Sequence, residues 1–276
     1  MPPAEQPLPI SVSIVCKDAA RTIGEVLQSV SGWATEIIAV DSGSTDTTLD
    51  LLRANHATIF EHEWLGHVKT KQLALSKCTQ PWVLCLDADE SVDETLAASI
   101  RETITASGPG DPAGVVAARV NRKIWYRGRY LNHAWQPEWR LRLVRNGSAA
   151  WTGLDPHDKL EVTGDGKTVG AGRTVDLKGT LKHDSFVSFA DQLAKDSGYA
   201  RLMAANLHKA GARGSRLRCC TSPVGAFAKQ MLVKQAWRDG RPGWLAALST
   251  ASATLQKHTM LLELEHAEHD SANTPS

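Results

Sequence analysis

The sequence predicts an α/β fold in which a mostly parallel sheet is followed by a helical C-terminal extension. Four apolar segments of strand length alternate with three segments of helical periodicity over residues 10–87. Such alternation is typical of parallel strands joined by right-handed helical crossovers. Beyond residue 186, apolar residues recur at helical spacing instead. With 276 residues, 42% of them hydrophobic, the chain is long enough to bury an ample core.

The first two strands both end in polar turn residues. Residues 10–15 alternate in polarity and then break at residues 16–18, before a helix over about residues 23–30. Residues 36–40 form a second apolar strand. It ends on a cluster of cap and turn residues beginning at Asp41, which precedes another helix.

The fourth strand ends abruptly on three carboxylates. It follows a short strand at residues 57–60 and a helix at about residues 67–76, and its Val- and Leu-rich run stops at Asp87, Asp89 and Glu90. Ligands bind at the C-terminal ends of strands in open α/β sheets. Carboxylate oxygens suit Mg²⁺ or Mn²⁺. The alternative is an acidic turn that opens the next helix, and this stretch alone leaves both interpretations open.

The regular alternation stops after a helix over residues 92–105. A Gly- and Pro-rich loop at residues 107–112 separates that helix from a strand over residues 115–120. Aromatic and basic side chains then interleave, namely Trp125, Tyr126, Tyr130, Trp135, Trp139 and Trp151 among Arg122, Arg127, Arg129, Arg140, Arg142 and Arg145. This composition favours sugar binding and the packing of a smaller β region equally. Nucleic-acid binding is less favoured, because no RNA-module signature accompanies it.

Two His-Asp pairs follow, His157-Asp158 and His183-Asp184. A lone histidine in a loop is more often a hydrogen-bonded surface residue than a ligand. Two such pairs after a strand that ends in carboxylates favour a functional role for these histidines more than one pair would.

The C-terminal third is strongly basic, although the formal net charge of the chain is only +1. Residues 201–241 carry nine Lys or Arg against one acid, a local charge of +8. We predict a helix that starts at Ser222-Pro223 and a second amphipathic helix from about Trp244 to Leu262. Basic amphipathic helices of this kind fit a protein on an anionic membrane surface. The alternative is a helical hairpin packed on the sheet.

Composition excludes several other classes. A net charge near zero excludes a globally basic nucleic-acid binder, so we expect no nucleic-acid partner. No apolar run reaches the ~18 residues of a spanning helix, and residues 1–9 lack a signal-peptide pattern, which predicts a cytoplasmic protein. Five cysteines without a CxxC pair predict neither a disulfide framework nor a zinc site.

Three motifs in combination resemble the family 2 glycosyltransferases: the loop at residues 15–18, the turn at residues 41–46 and the acidic segment at residues 86–90. Further segments resemble the lipopolysaccharide core β-glucosyltransferase subgroup, namely residues 137–143, 156–160 and 237–243. The resemblance covers residues 10–265. It implies the GT-A nucleotide-diphospho-sugar transferase fold, with a mostly parallel Rossmann-like sheet.

The resemblance also implies a nucleotide-sugar site formed by Lys17, Asp18, Asp41, Lys71 and Asp87. Asp41 would accept a hydrogen bond from the nucleotide base, and Lys71 would lie near the diphosphate. Asp87 and Asp89 would hold the metal, Mg²⁺ or Mn²⁺, that bridges the diphosphate. UDP-glucose is the favoured donor, and a glycolipid is the expected acceptor at the inner face of the cytoplasmic membrane.

Glu138 is the general base that the resemblance implies. His157 and Asp158 are rivals for that role, and with Arg142 they are candidates for contacting the acceptor or the diphosphate. A base typically contributes about 10²–10⁴-fold to such a reaction. Direct displacement from an α-linked donor would give a β-linked product, which is an inverting reaction.

Other classes share parts of this pattern. A haloacid-dehalogenase-like phosphatase also has a hydrophobic strand followed by Asp-x-Asp, but there the strand usually comes first in the domain. A nucleotidyltransferase would have a glycine-rich basic loop after its first strand. A non-catalytic membrane-surface adaptor with a decayed transferase site is the non-enzyme alternative, against which the joint presence of Asp41, Asp87, Asp89 and Glu138 argues.

The predicted domain boundaries follow from these motifs. We expect a disordered N-terminus at residues 1–9 and a catalytic domain at residues 10–185. That domain would contain a nucleotide-binding half at residues 10–106 and an acceptor half at residues 113–185. A basic amphipathic helical extension at residues 186–265 and a frayed tail at residues 266–276 would complete the chain.

Overall fold

The computed structural model describes residues 6–108, 114–154, 157–163 and 173–273. The chain divides into two compact units, of which the first combines Met1–Ile124 with Glu138–Asp184 and the second combines Trp125–Pro137 with Ser185–Ser276. The chain thus leaves the first unit and returns to it, an excursion that the predicted boundaries did not include.

The first half of the chain alternates strands and helices as predicted. Its elements are β1 (Leu8–Cys16), α1 (Ile23–Val30), β2 (Ala34–Asp41), α2 (Thr48–Ala54), β3 (Thr58–Glu61), α3 (His67–Ser76), β4 (Trp82–Asp87), β5 (Glu90–Val92) and α4 (Glu94–Ala106). The remaining strands are β6 (Val115–Tyr126), β7 (Arg129–Tyr130), β8 (Trp139–Arg145), β9 (Ala149–Leu154), β10 (His157–Val162), β11 (Arg173–Asp176) and β12 (Leu181–His183).

The main sheet has the strand order β3-β2-β1-β4-β8-β6-β12-β5. Strands β3, β2, β1 and β4 are mutually parallel, which confirms the interpretation of the alternating pattern. Strand β8 is antiparallel to both β4 and β6. Apolar side chains such as Ile14, Leu84 and Leu143 are fully buried in the core of this sheet. Strands β9 and β10 form a separate antiparallel pair.

The acidic segment after β4 does not open a helix. Glu90–Val92 is the short strand β5, which pairs with β12 in antiparallel register, Leu181 opposite Val92. Helix α4 begins at Glu94, and Asp93 caps it by accepting a hydrogen bond from the Leu96 amide at 2.7 Å. The predicted helix start at residue 92 was therefore wrong, because Asp93 supplies the cap and residues 90–92 have a strand partner distant in sequence.

The second unit is mainly helical. Its helices are α5 (Phe189–Lys209), α6 (Arg216–Ala228) and α7 (Arg241–Asn273). A π-helical turn at Lys229–Val233 and a 3₁₀ turn at Ala236–Asp239 lie between the last two. None of the described helices is both long and apolar enough to cross a membrane.

One expectation for this unit was wrong. Helix α6 begins at Arg216, where the Ser215 hydroxyl accepts a hydrogen bond from the Arg218 amide, so Pro223 lies inside the helix and does not start it. Helix α7 continues as far as Asn273, into the segment predicted as a frayed tail.

Candidate active site

Two of the predicted site acids lie at the carboxyl edge of the sheet. Asp41 ends β2 and Asp87 ends β4, and β1 lies between these strands. Cys16 is paired with Asp41 and Val15 with Asp87, so the two acids end the strands on either side of β1 and differ in level by one residue. Ligands of open α/β sheets bind at this edge.

Asp41 is fully buried, and its carboxylate closes the turn that follows β2. It accepts hydrogen bonds from the amides of Gly43 at 2.9 Å and Ser44 at 2.8 Å, and from the Ser44 hydroxyl. The Asp18 carboxylate accepts a bond from the Thr45 amide at 2.7 Å, which ties the loop after β1 to the same turn. Lys17 and Asp18 are exposed on that loop. Asp41 therefore shapes the loops, and its contact with a nucleotide base stays a prediction.

Asp87 lies within a set of cations. One oxygen is 2.6 Å from the Lys71 ammonium, the other is 2.9 Å from the Arg142 guanidinium, and Arg122 is 4.0 Å away. Burial alone would raise the pKa of Asp87, but Lys71, Arg142 and Arg122 hold it well below its usual value. Asp87 is therefore ionised throughout the physiological range.

Glu90 is the buried partner of both arginines. Its carboxylate is 2.6 Å from Arg142 and 3.1 Å from Arg122, and it also accepts a hydrogen bond from the Asp87 amide at 3.1 Å. Burial would lower the pKa values of Arg142 and Arg122, but nearby carboxylates raise both above the usual value for arginine. Glu90 acts on both arginines, Asp87 also acts on Arg142, and Glu138 also acts on Arg122. The sequence places Glu90 among three strand-ending carboxylates and Arg122 in a basic, aromatic segment, but it predicts no contact between them.

Glu138 belongs to this cluster, but it is held by two guanidinium groups. Arg122 contacts its two oxygens at 2.6 and 3.1 Å, and Arg140 contacts one oxygen at 2.6 and 3.1 Å. Burial would raise the pKa of Glu138, but these two arginines lower it to about 2. A carboxylate with so low a pKa accepts a proton poorly near neutral pH, so this arrangement disfavours Glu138 as a general base.

Asp158 and Lys71 join the β9–β10 hairpin to the cluster. The Lys71 ammonium donates to Asp158 at 2.8 Å and lies 4.7 Å from the centre of the Trp151 ring. Burial would lower the pKa of Lys71, and Arg142 opposes its charge, but Asp87 and Asp158 raise it overall. Lys71 therefore bridges two carboxylates as a cation. The side chain of His157 lies outside the described part of the chain.

Asp89 points to a different partner. Its carboxylate is 3.5 Å from Nε2 of His183, and its backbone carbonyl accepts a hydrogen bond from the Asp184 amide at 2.9 Å. Burial would raise the pKa of Asp89, but His183 lowers it. Nδ1 of His183 is buried and has no hydrogen-bond partner among the described residues.

This pair fits a divalent cation better than the predicted Asp87 and Asp89 do. The oxygens of Asp87 already contact Lys71 and Arg142, whereas Asp89 and His183 offer an oxygen and a nitrogen donor side by side. Such a donor set suits Mn²⁺ or Mg²⁺ when ligand oxygens fill the remaining positions. Within the described residues, no three His, Cys, Asp or Glu converge on one point.

Part of the cluster could have been found from the sequence. Glu138, Arg140 and Arg142 alternate along one segment, so on a strand their side chains share a face. The partners Glu90 and Arg122 carry no such local signal, because they meet this face only after the chain folds.

Comparison with known proteins decides the family. The family model for glycosyl transferase family 2 matches residues 11–156 of the chain. The chain belongs to glycosyltransferase family 2. This membership confirms the predicted GT-A fold and a glycosyltransferase activity, and it sets aside the phosphatase and nucleotidyltransferase alternatives.

Relatives of this glycosyltransferase match it over most of their length. The lipopolysaccharide core biosynthesis glycosyltransferase LpsC of Rhizobium meliloti (strain 1021) is 30% identical over 267 residues, which are 92% of this chain and 94% of that protein. The uncharacterized glycosyltransferase RT0209 of Rickettsia typhi is 29% identical and covers 92% of this chain and 87% of its own.

Solved structures similar to this glycosyltransferase include TarS 1–349 of S. aureus. That structure has a TM-score of 0.44 and 13% identity, and the match covers 94% of this chain and 91% of that one. Another is glucosyl-3-phosphoglycerate synthase of Mycobacterium tuberculosis in complex with Mg²⁺ and uridine-diphosphate, with a TM-score of 0.43, 18% identity and coverage of 75% and 80%.

Proposed function

We propose that this glycosyltransferase moves a hexose, with glucose favoured, from a nucleotide-diphosphate sugar to a hydroxyl group of a glycolipid of the lipopolysaccharide-core type. UDP-glucose is the favoured donor. The relative LpsC, named for lipopolysaccharide core biosynthesis, supports this acceptor class. To glycosylate such an acceptor, the enzyme would bind peripherally at the inner face of the cytoplasmic membrane.

The observation that carries the proposal is the cation-rich cluster around Asp87. Lys71, Arg122 and Arg142 surround Asp87 at the carboxyl edge of the sheet, the edge at which the exposed loop with Lys17 and Asp18 follows β1. A diphosphate needs positive charge around its oxygens, above all when it departs from the sugar carbon. Lys71 is the best placed of these cations, because an ammonium can exchange a carboxylate for a phosphate oxygen without losing charge compensation.

Asp89 and His183 are the proposed metal ligands, with Mg²⁺ or Mn²⁺ as the ion. When bound, the ion would supply Lewis-acid neutralisation of the diphosphate leaving group. Asp87 keeps its contacts with Lys71 and Arg142, and through them it fixes the floor of the nucleotide site. Asp41 keeps the adjoining loop folded for the nucleotide base.

Asp158 is the proposed general base, in place of Glu138. In the described part of the chain, the Asp158 carboxylate contacts a single cation, Lys71. Glu138 contacts two arginines, and its pKa of about 2 leaves it little tendency to accept a proton. Transfer of Lys71 to a diphosphate would free Asp158 to take the proton of the acceptor hydroxyl. Direct displacement then gives a β-linked product from an α-linked donor.

The test is a donor panel with an isolated lipopolysaccharide-core glycolipid as acceptor. UDP- and GDP-sugars are compared with Mg²⁺, with Mn²⁺ and with a chelator. We expect metal-dependent transfer from UDP-glucose and a β linkage by NMR. If the chelator does not affect transfer, the proposed role of the metal is contradicted. An α-linked product contradicts the proposed direct displacement. Absence of turnover with every sugar nucleotide contradicts the proposed donor class.

A further inference from the structure

We propose that the outer face of α6 and of the π-helical turn after it docks on an anionic phospholipid bilayer. This docking face is defined by Leu217, Val224, Leu232 and Val233. The inference rests on the proposed function, because a glycolipid acceptor lies in such a bilayer.

The four side chains are unusually exposed for aliphatic residues. Leu217 is 71% exposed, Val224 67%, Leu232 74% and Val233 71%. Helix α6 buries none of its own residues. An exposed aliphatic row on a helix is typical of a surface that another apolar phase covers.

The π-helical turn aligns Leu232 with Leu217 and Val224, and Val233 lies beside Leu232. The amide of Lys234 donates to the carbonyl of Lys229 at 3.0 Å, a bond that spans five residues where an α-helix spans four. Leu217 and Val224 are seven residues apart, about two helical turns. Val224 and Leu232 are eight apart, and the wide turn absorbs the extra residue. In an uninterrupted α-helix, Leu232 would point about 80° away from Val224.

The row is flanked by positive charge. Six Lys or Arg and no acid occur between residues 213 and 238. Arg216 and Arg218 stand on either side of Leu217, and Lys229 and Lys234 enclose the π-helical turn. None of these four forms an ion pair with a carboxylate in the described part of the chain. Free cations beside an aliphatic row fit the headgroups and acyl chains of an anionic bilayer.

The dimensions favour a bilayer over a protein partner. From Leu217 to Leu232 the row covers about four turns, or about 22 Å, and is only one or two side chains wide. A helix lying in the interfacial plane presents such a strip, whereas a specific protein interface normally needs a broader patch. Trp237, which is 56% exposed, follows the strip, and tryptophan is enriched at membrane interfaces.

Co-sedimentation of the full chain with vesicles tests the docking face. Phosphatidylcholine vesicles are compared with vesicles that also contain phosphatidylglycerol, at low and high salt. We expect binding only to the anionic vesicles and weaker binding at high salt. The variant Arg216→Gln/Arg218→Gln/Lys229→Gln should bind about 100-fold more weakly, since each cation near the surface contributes about a factor of five. Leu232→Ser/Val233→Ser should bind about tenfold more weakly.

Leu193→Ser/Leu202→Ser provides the matched control, because both residues are exposed leucines on a different helix, α5. We expect wild-type vesicle binding from it. Binding that is insensitive to lipid charge, or equal in all variants, overturns the proposal. Concentration-dependent dimerisation that Leu232→Ser/Val233→Ser abolishes also overturns it, because the face then joins two copies of the chain.

Metal-dependent hydrolysis of UDP-glucose in the absence of vesicles separates this proposal from the proposed function. All variants of the docking face should hydrolyse UDP-glucose at the wild-type rate. If the wild-type chain binds vesicles but does not hydrolyse UDP-glucose, only the proposed function is contradicted. Intact hydrolysis without vesicle binding contradicts the docking face alone.

Discussion

Glu90 and Arg142 form an ion pair from which solvent is almost absent. The carboxylate and guanidinium are 2.6 Å apart, and their side chains are 0% and 5% exposed. Glu90 comes from β5 and Arg142 from β8, strands that do not neighbour each other in the sheet. The pair therefore fixes Arg142 where it contacts Asp87, so the geometry of the proposed nucleotide site depends on a fully buried residue.

Glu90→Gln should destabilise the protein. The substitution keeps the shape of the side chain but leaves the buried Arg142 and Arg122 with one negative charge fewer. Removal of one partner of a buried ion pair typically costs 3–5 kcal/mol, so we expect the free energy of unfolding to fall by about 3 kcal/mol. Urea denaturation measures this change.

Glu94→Gln is the control for that experiment, because Glu94 is an exposed acid in the first turn of α4. It should change the free energy of unfolding by no more than about 0.5 kcal/mol. If Glu90→Gln behaves like Glu94→Gln, the arginines are held by other groups.

The sequence predicted the parallel half of the fold because its signals are local. Each of the first four strands is an apolar run with its own turn residues, and the predicted bounds of the third helix, 67–76, agree with those of α3. The sequence does not predict strand β5, because the strand has only three residues and its partner β12 begins at Leu181, far along the chain.

The candidate site was predicted in outline for the same reason. Asp41 and Asp87 end local strand patterns, and the sheet places them at one edge. The contacts that decide their chemistry are non-local: Lys71 with Asp158, and Arg122 with Glu90 and Glu138. No periodicity in the sequence encodes such pairs, and the resemblance that implies Glu138 as the base does not reveal its two arginine partners.

Asp158→Asn should lower kcat by about 10²–10⁴-fold, the usual contribution of a general base. Glu138→Gln should lower kcat less, because Glu138 holds Arg122 and Arg140 and does not accept the proton in the proposed reaction. Initial rates with UDP-glucose and the glycolipid acceptor, together with UDP affinity by calorimetry, measure both effects. The reverse order of the two kcat losses, with UDP affinity retained, restores Glu138 as the base.

Acid should unfold the protein through the carboxylates of the cluster. The pKa of Glu138 is lowered from 4.5 to about 2, so the stability that its ion pairs contribute is fully present above about pH 4.5 and is lost as the pH falls towards 2. The shift corresponds to about 3 kcal/mol. Urea denaturation at a series of pH values should show a shallower acid loss for Glu138→Gln than for the wild type. Glu102→Gln, at an exposed position, should keep the wild-type slope, and equal slopes in all three proteins contradict the prediction.

Asp89→Asn should weaken Mn²⁺ binding more than Asp87→Asn does. The oxygens of Asp87 contact Lys71 and Arg142, whereas the Asp89 carboxylate lies 3.5 Å from Nε2 of His183. Calorimetric titration of Mn²⁺ in the presence of UDP should show a loss of about 100-fold or more for Asp89→Asn. His183→Gln should show a clear but smaller loss, because it removes one of two protein donors.

Asp184→Asn is the matched control for the metal experiment, because Asp184 is adjacent to His183 but pairs with Arg21 at 2.9 Å. Its Mn²⁺ affinity should remain close to that of the wild type. If Asp87→Asn causes the larger loss and His183→Gln causes none, the ion binds between the two acids of the Asp-x-Asp segment. Lys71 would then have to leave Asp87 when the metal arrives, since an ammonium at 2.6 Å and a divalent cation would repel each other at the same oxygen.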